Sequence, residues 1–117
     1  MNWAEFETAF ADLQQRKLAL MRGKSDDYAR PEDRFWNFKA MAGATLRKPE
    51  QTILSMIAVK LTRLANLFEQ RTPPKNEPVL DSVIDMANYC DLLALYLDVC
   101  KVCNGPGTIY IPSHYRE

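Results

Sequence analysis

Four charged residues interrupt the apolar faces of two helical patterns. Lys60 lies near the middle of an apolar arc that repeats every 3.6 residues after Pro49, and Arg63 lies at the edge of that arc. Asp81 and Asp85 share one side of the next helical pattern, and two aspartates at i and i+4 repel each other unless a cation stands between them. We therefore expect the cations of one helix to meet the carboxylates of the next.

This charge cluster has two interpretations: a structural salt-bridge network that fixes helix register, or a polar pocket that a ligand completes. The preceding segment, residues 24–37, favours a pocket. It combines cations for phosphate groups, aromatic rings for a base, and polar groups for hydroxyls or base edges. The side chains of this kind are Lys24, Asp27, Tyr28, Arg34, Trp36 and Asn37. Phe35, Trp36 and Phe38 are expected in the core, with Tyr28 or Trp36 as the ring that could reach a ligand.

Four segments with the helical period must hold these residues, and each is bounded by residues that start or stop helices. Asn2, with Glu5 three residues later, predicts the start of the first helix, and Gly23 predicts its end. A loop is expected over 24–30, and Gly43 is expected to stop the second helix. The predicted helices are 2–23, 31–43, 49–72 and 78–101, followed by an extended tail over 105–117.

Short links between long helices favour antiparallel neighbours. We therefore expect an all-α fold, a small helical bundle of about four helices, with a single domain over 1–104 and the tail over 105–117. The fourth helix is apolar almost all round from Val83 to Val99, so it should be central or should meet a second subunit. A homodimer or larger homo-oligomer follows from this pattern.

The composition argues against several classes of protein. The 117 residues carry 15 Lys+Arg and 15 Asp+Glu, so the positive excess that binding to duplex nucleic acid requires is missing. No apolar run is long enough to span a membrane. Cys90, Cys100 and Cys103 are an odd number, and the one Cys-x-x-Cys pair lacks the second pair of a zinc site. We expect a cytoplasmic protein without a metal or cofactor.

Short motifs between Lys24 and Tyr96 resemble a family of small phage and prophage proteins. The motifs are Lys24-x-x-Asp27-Tyr28, Asn37, Lys60-x-x-Arg63 and Asp81-Ser82-x-x-Asp85-x-x-x-Tyr89. This family is grouped as nucleotide-modification-associated or uncharacterised domains, and it is similar to the all-α nucleoside triphosphate pyrophosphohydrolases of the MazG-like class. Where the family usually has Asp-Tyr-Gly, this chain has Asp27-Tyr28-Ala29.

The resemblance implies an all-α oligomer that binds nucleotides between helices in a bacterial host cytosol. Combined with the charge cluster, it gives these candidate nucleotide-binding residues: Lys24, Asp27, Tyr28, Arg34, Trp36, Asn37, Lys60, Arg63, Asp81, Asp85, Asn88 and Tyr89. Hydrolysing members of the MazG-like class hold magnesium with clustered carboxylates, because magnesium needs oxygen ligands and a charged polyphosphate cannot be attacked until it is neutralised. Here Lys60 and Arg63 stand where such a cluster would be sought, and cations repel magnesium and attract phosphate.

The favoured hypothesis is therefore a protein that binds a nucleotide without turnover. In a phage context this would be a counter-defence sponge, which sequesters a cyclic-nucleotide or ADP-ribose-type immune signal. One alternative is a magnesium-dependent pyrophosphohydrolase of the MazG-like class, with Asp27, Asp81 and Asp85 as its catalytic residues. The other is a structural or protein-binding module in which the charge cluster is only scaffold.

Overall fold

The computed structural model describes residues 1–28, 33–70 and 78–99. For residues 25–28 and 99 it describes the backbone and not the side chains. Four helices make up these ranges: α1 (Trp3–Tyr28), α2 (Trp36–Thr45), α3 (Pro49–Glu69) and α4 (Val79–Val99). The predicted all-α bundle is confirmed for the described part of the chain. The predicted tail over 105–117 lies outside the described residues.

Local hydrogen bonds start two of the helices where the sequence predicts. At the start of α1 the Glu5 N–H donates to Asn2 Oδ1 at 2.8 Å, and the Asn2 N–H donates to Glu5 Oε2 at 2.9 Å. At the start of α3, Pro49 occupies the first turn and the Lys48 N–H donates to Gln51 Oε1 at 2.9 Å. These contacts satisfy backbone donors that a helix end leaves without intrahelical partners.

Several predicted helix boundaries were wrong. α2 begins at Trp36 and not at residue 31, with Phe35 as its N-cap residue, and α3 ends at Glu69 because Gln70 is extended.

The other two errors are helix ends at glycine. α1 continues through Gly23 to Tyr28, so Lys24 lies on a helix and not in a loop. α2 continues past Gly43 and ends where Leu46 adopts a left-handed conformation with φ 55°. A glycine inside a helix costs only about 1 kcal/mol, which contacts elsewhere on the helix can offset. The left-handed Leu46 costs a similar amount, about 1 kcal/mol, because its Cβ crowds the backbone.

The apolar core lies between α3 and α4, and α2 covers one end of it. Phe38 of α2, Ile53 of α3 and Tyr96 of α4 form its buried centre. Phe35 contacts the Tyr96 ring edge-on at 5.4 Å between centroids. Full burial of an aliphatic or aromatic side chain contributes about 1.5–3 kcal/mol. This seam is therefore the main source of stability in the described fold.

α1 contacts α4 mainly through polar groups. Lys17 Nζ lies 2.7 Å from Asp91 Oδ2, and the Lys17 carbonyl accepts a hydrogen bond from Asn88 Nδ2 at 3.0 Å. Every residue from 1 to 13 is exposed, so the first half of α1 extends beyond α4. Trp3, Phe6 and Phe10 form an uncovered apolar face on this half of α1, and their rings stack along it. None of the helices described is long and apolar enough to cross a membrane.

Candidate functional site

The centre of the candidate site is Asp85, a carboxylate on α4 that is only 4% exposed. Lys24 of α1 places Nζ 2.6 Å from both carboxylate oxygens, and Lys60 of α3 places Nζ 3.1 Å from Oδ2. Burial by itself would raise the pKa of Asp85, but the hydrogen bonds from Lys24 and Lys60 outweigh it and hold the pKa below its ordinary value. Asp85 is therefore a carboxylate with two cationic partners from two different helices.

The structure divides the four-residue cluster that the sequence predicts. Lys60 and Asp85 meet as expected. Asp81 instead pairs with Arg16 of α1, with Nη2 and Oδ1 3.1 Å apart, and both side chains are substantially exposed. Four residues advance a helix by about 400°, so Asp81 is turned about 40° from Asp85 around the α4 axis. That rotation brings it within reach of α1. Arg63 is partly buried on α3.

A cavity of about 80 Å³ lies beside Asp85, between α1, α2 and α4. By this measure one water needs about 10–15 Å³, so the space suits a group the size of a phosphate and not a whole nucleotide. Half of the candidate residues line it, and they are Lys24, Arg34, Asn37, Asp85, Asn88 and Tyr89. The remaining lining residues are Met21, Phe38 and Leu92. Because Lys24 and Arg34 are exposed, the cavity is open to solvent at their side chains.

Asn88 supplies a buried polar group at the same place. Its residue is 7% exposed, and its Nδ2 donates to the Lys17 carbonyl at 3.0 Å. Within the part of the chain that the structure describes, its Oδ1 has no hydrogen-bond partner. A buried acceptor without a partner is uncommon in folded proteins, because it has lost its water without replacing it. Asn88 therefore offers an acceptor for a hydroxyl or N–H group that enters the cavity.

Two aromatic residues line the cavity, Tyr89 and Phe38. The Tyr89 ring meets Phe38 edge-on, with centroids 6.3 Å apart. Phe38 belongs to the core, as the sequence predicts. Trp36, which the sequence offers as a stacking ring, is partly exposed and does not line this cavity. The side chains of Asp27 and Tyr28 lie outside the described set, so their predicted roles stay predictions.

Sequence reasoning did not include Lys17 and Met21 among the candidates, and it placed Lys24 in a loop because it ended the first helix at Gly23. When α1 continues, Lys17, Met21 and Lys24 recur at four- and three-residue intervals and share one face. That face is turned to α4, which explains why Lys17 reaches Asp91 and Lys24 reaches Asp85. The signal was available in the sequence as the unbroken period across Gly23.

The described carboxylates do not fit a magnesium site of the kind that the hydrolase alternative requires. Magnesium takes oxygen ligands, usually from several carboxylates. Among the side chains of residues 1–24, 33–70 and 78–98, no three His, Cys, Asp or Glu side chains converge on one point, and the side chain of Asp27, the third carboxylate of that alternative, lies outside these ranges. Asp85 is occupied by two ammonium groups, and Asp81 by a guanidinium group. The charged side chains at the cavity favour binding of an anion beside Lys24 and Arg34.

No protein-family profile, curated protein or solved structure matches this chain significantly. The class of the protein therefore has to be argued from its fold and its cavity. That class is a small all-α protein with a cation-lined cavity between three helices.

Proposed function

We propose that this protein binds a nucleotide, with a phosphate group in the cavity beside Asp85, and releases it chemically unchanged. The observation that carries the proposal is the double pairing of Asp85 with Lys24 and Lys60. If Lys24 turns to a phosphate, Asp85 keeps Lys60 as its counterion. The ligand can therefore gain a cation without leaving a buried carboxylate uncompensated, which would be the costly outcome.

The side chains around the cavity match the parts of a nucleotide. Lys24 is half-exposed on a flexible four-carbon stem, and Arg34 can bind phosphate oxygens in a bidentate manner. Asn88 and Asn37 offer amide groups for ribose hydroxyls or base edges, and Tyr89 offers a ring. Since the cavity holds about one phosphate group, the sugar and base would lie across its open side, towards α2.

Binding without turnover is favoured over hydrolysis by the state of Asp85. A general base must be free to take a proton from water, whereas this carboxylate is held by two ammonium groups that lower its pKa. A protein that holds a nucleotide intact acts by sequestration. The resemblance to phage proteins extends the proposal to a sponge for a cyclic-nucleotide or ADP-ribose-type signal.

The test is isothermal calorimetry of the full chain against cyclic mononucleotides, cyclic dinucleotides, ADP-ribose derivatives and nucleoside triphosphates. We expect one class to bind at micromolar affinity or better and to be recovered intact by chromatography. Lys24→Met should weaken that binding at least about tenfold, a loss of about 1.4 kcal/mol. The matched control is Lys39→Met, because Lys39 is 45% exposed against 52% for Lys24 and forms an ion pair of similar length, with Asp33.

Three outcomes would contradict the proposal. The first is that no member of the panel binds. The second is that Lys39→Met weakens binding as much as Lys24→Met, which would indicate non-specific attraction to positive charge. The third is that pyrophosphate or a monophosphate is released in an EDTA-sensitive reaction, which would establish the hydrolase alternative instead.

A further inference from the structure

A groove of about 440 Å³ continues the cavity along the seam between α1 and α4, and we call it the α1–α4 groove. Met21 and Asn88 line both spaces, so the groove and the cavity are adjacent. The volume of the groove lies within the range of about 300–1,000 Å³ that is typical of small-molecule sites. The groove therefore has room for a group much larger than the phosphate that fits the cavity.

The buried ammonium group of Lys17 gives the groove a hydrogen-bond donor. Only 11% of the Lys17 side chain is exposed, and its Nζ lies 2.7 Å from Asp91 Oδ2 and 3.3 Å from Gln14 Oε1. These are its two acceptors within the described ranges, whereas an ammonium group carries three N–H donors. One N–H of Lys17 is therefore left for an acceptor on a ligand.

Asn88 gives the groove an acceptor. Since its Nδ2 donates to the Lys17 carbonyl at 3.0 Å, the other atom of the amide must be the oxygen Oδ1. The residue is 7% exposed, and no described residue donates to Oδ1. A ligand that donates an N–H there would satisfy an acceptor that has lost its water. Lys17 and Asn88 therefore match a ligand edge that presents both an acceptor and an N–H, as the edges of nucleobases do.

The charge and the walls of the groove suit a neutral, flat group and not a second phosphate. The charge of Lys17 is balanced by Asp91, whose carboxylate is half-exposed and would repel an anion placed beside it. A base that lies in the groove would remove apolar surface from water, because the remaining lining is apolar. It consists of Leu18, Met21, Ala94 and Leu95.

The spacing of Lys24 and Lys17 matches the two ends of one nucleotide. They are seven residues apart on α1, which is two helical turns, or about 10 Å along one face. Lys24 lies at the cavity and Lys17 at the groove. A nucleoside attached to a phosphate beside Lys24 and directed along this face would therefore bring the edge of its base near Lys17.

We propose that the ligand consists of two nucleosides joined by a phosphodiester, with the phosphodiester beside Lys24 and the second base in the α1–α4 groove against Lys17 and Asn88. This inference rests on the proposed nucleotide site and names the class of its ligand. A phosphodiester carries a sugar on each of two ester oxygens. One nucleoside can therefore extend towards α2 while the other enters the groove, whereas a mononucleotide fills only one of these spaces.

The test is isothermal calorimetry of the full chain with the linear dinucleotides ApA, GpG, CpC and UpU, each compared with the 3′,5′-cyclic mononucleotide of the same base. All these molecules have one phosphodiester and one negative charge, so the members of a pair differ in the number of nucleosides and not in charge. We expect at least one dinucleotide to bind about tenfold or more tightly than its cyclic mononucleotide, because its second base is bound as well.

Two pairs of variants locate the second base. Ala94→Trp should abolish the gain of the dinucleotide, because Ala94 is exposed in the groove and an indole ring would occupy the space of the base. Its matched control is Ala65→Trp, the same change at an exposed position of α3 that lines neither space. Leu95→Ala should weaken dinucleotide binding at least about threefold, since it removes part of the apolar wall. Leu80→Ala is its control and should leave binding unchanged, because Leu80 is 50% exposed against 49% for Leu95 and lies outside the groove.

The outcomes separate this inference from the proposed function. If every dinucleotide binds no more tightly than its cyclic mononucleotide, the two-nucleoside ligand is overturned and the proposed nucleotide site stands. A gain that persists in a folded Ala94→Trp protein, with circular dichroism as the check, would overturn the position of the second base, as would equal losses in Ala94→Trp and Ala65→Trp. Failure of every nucleotide to bind would overturn both proposals.

Discussion

The two sides of α4 contact their neighbours through opposite kinds of chemistry. Towards α3 the contact is mainly apolar, with Ile53, Leu64 and Ile84 almost completely buried and one ion pair between Lys60 and Asp85. Towards α1 it consists of ion pairs and a hydrogen bond from the buried amide of Asn88. An apolar seam is stabilised by excluding water and is closely packed, so even a small displacement of its side chains costs free energy. An ion pair can exchange one partner for another anion or cation.

This difference indicates where the molecule is rigid and where it can respond. The α3–α4 seam fixes the position of Asp85 and Lys60. The α1–α4 seam supplies Lys24, whose side chain is half-exposed and can leave Asp85 without disturbing the core. The cavity lies on this second side. A ligand that engages Lys24 would therefore change the contact of α1 while the rest of the fold stays in place.

The largest effect should come from a cavity in the apolar seam. Ile53→Ala removes a side chain with no exposed surface, and we expect a loss of about 3 kcal/mol in the free energy of unfolding. Val59→Ala, on an exposed position of the same helix, should change it by less than about 0.5 kcal/mol. Urea unfolding followed by circular dichroism measures both. A small loss for Ile53→Ala would show that the α3–α4 seam is not the rigid one.

A smaller loss should follow when Asp85 loses its charge. Asp85→Asn leaves Lys24 and Lys60 without their shared carboxylate, and we expect a cost of about 2 kcal/mol. The cost stays below that of a fully buried pair because Lys24 can extend into water. The same substitution at the exposed Asp98 of α4 is the control and should cost less than about 0.5 kcal/mol. Equal stability of the two variants would mean that the ion cluster contributes nothing to the fold.

Acid should remove part of the same contribution. The ordinary pKa of the Asp85 carboxyl is 3.8, and the folded protein holds it lower because Lys24 and Lys60 donate to it. As pH falls below about 5, the unfolded chain takes up this proton before the folded one does. The stabilisation is therefore complete at neutral pH and is lost as pH falls through the folded pKa. Urea midpoints measured between neutral pH and pH 3 should decrease more steeply for wild type than for Asp85→Asn. Parallel curves would contradict this.

The smallest effect is expected at the exposed ion pair of the α1–α4 seam. Arg16 and Asp81 are largely in water, where such pairs contribute between 0 and about 1 kcal/mol. Asp81→Asn should therefore lower the free energy of unfolding by less than about 0.5 kcal/mol, and high salt should remove the difference. The same variant should bind the nucleotide as wild type does. A loss of binding would return Asp81 to the ligand site that the sequence predicts.

Much of the local structure could be predicted from the sequence, and two of the errors have a common cause. The caps at Asn2 and Pro49 were correct because each depends on residues within one turn of a helix. The meeting of Lys60 with Asp85 was correct because the two residues interrupt the apolar faces of consecutive helices that pack against each other. The helix ends at Gly23 and Gly43 were wrong. A glycine weakens a helix by only a small amount. Whether the helix stops or continues there therefore depends on the contacts that the following turn makes.

The sequence by itself determined the all-α class, the helical segments and the placement of charges on their apolar faces, since these follow from the period of 3.6 residues and from local hydrogen bonds. Only the tertiary structure decided that Asp81 pairs with Arg16, that Lys24 joins Lys60 at Asp85, and that a cavity lies beside them. Those contacts depend on where α1 crosses α4. The crossing is set by the packing of surfaces far apart in the chain, which no local pattern encodes.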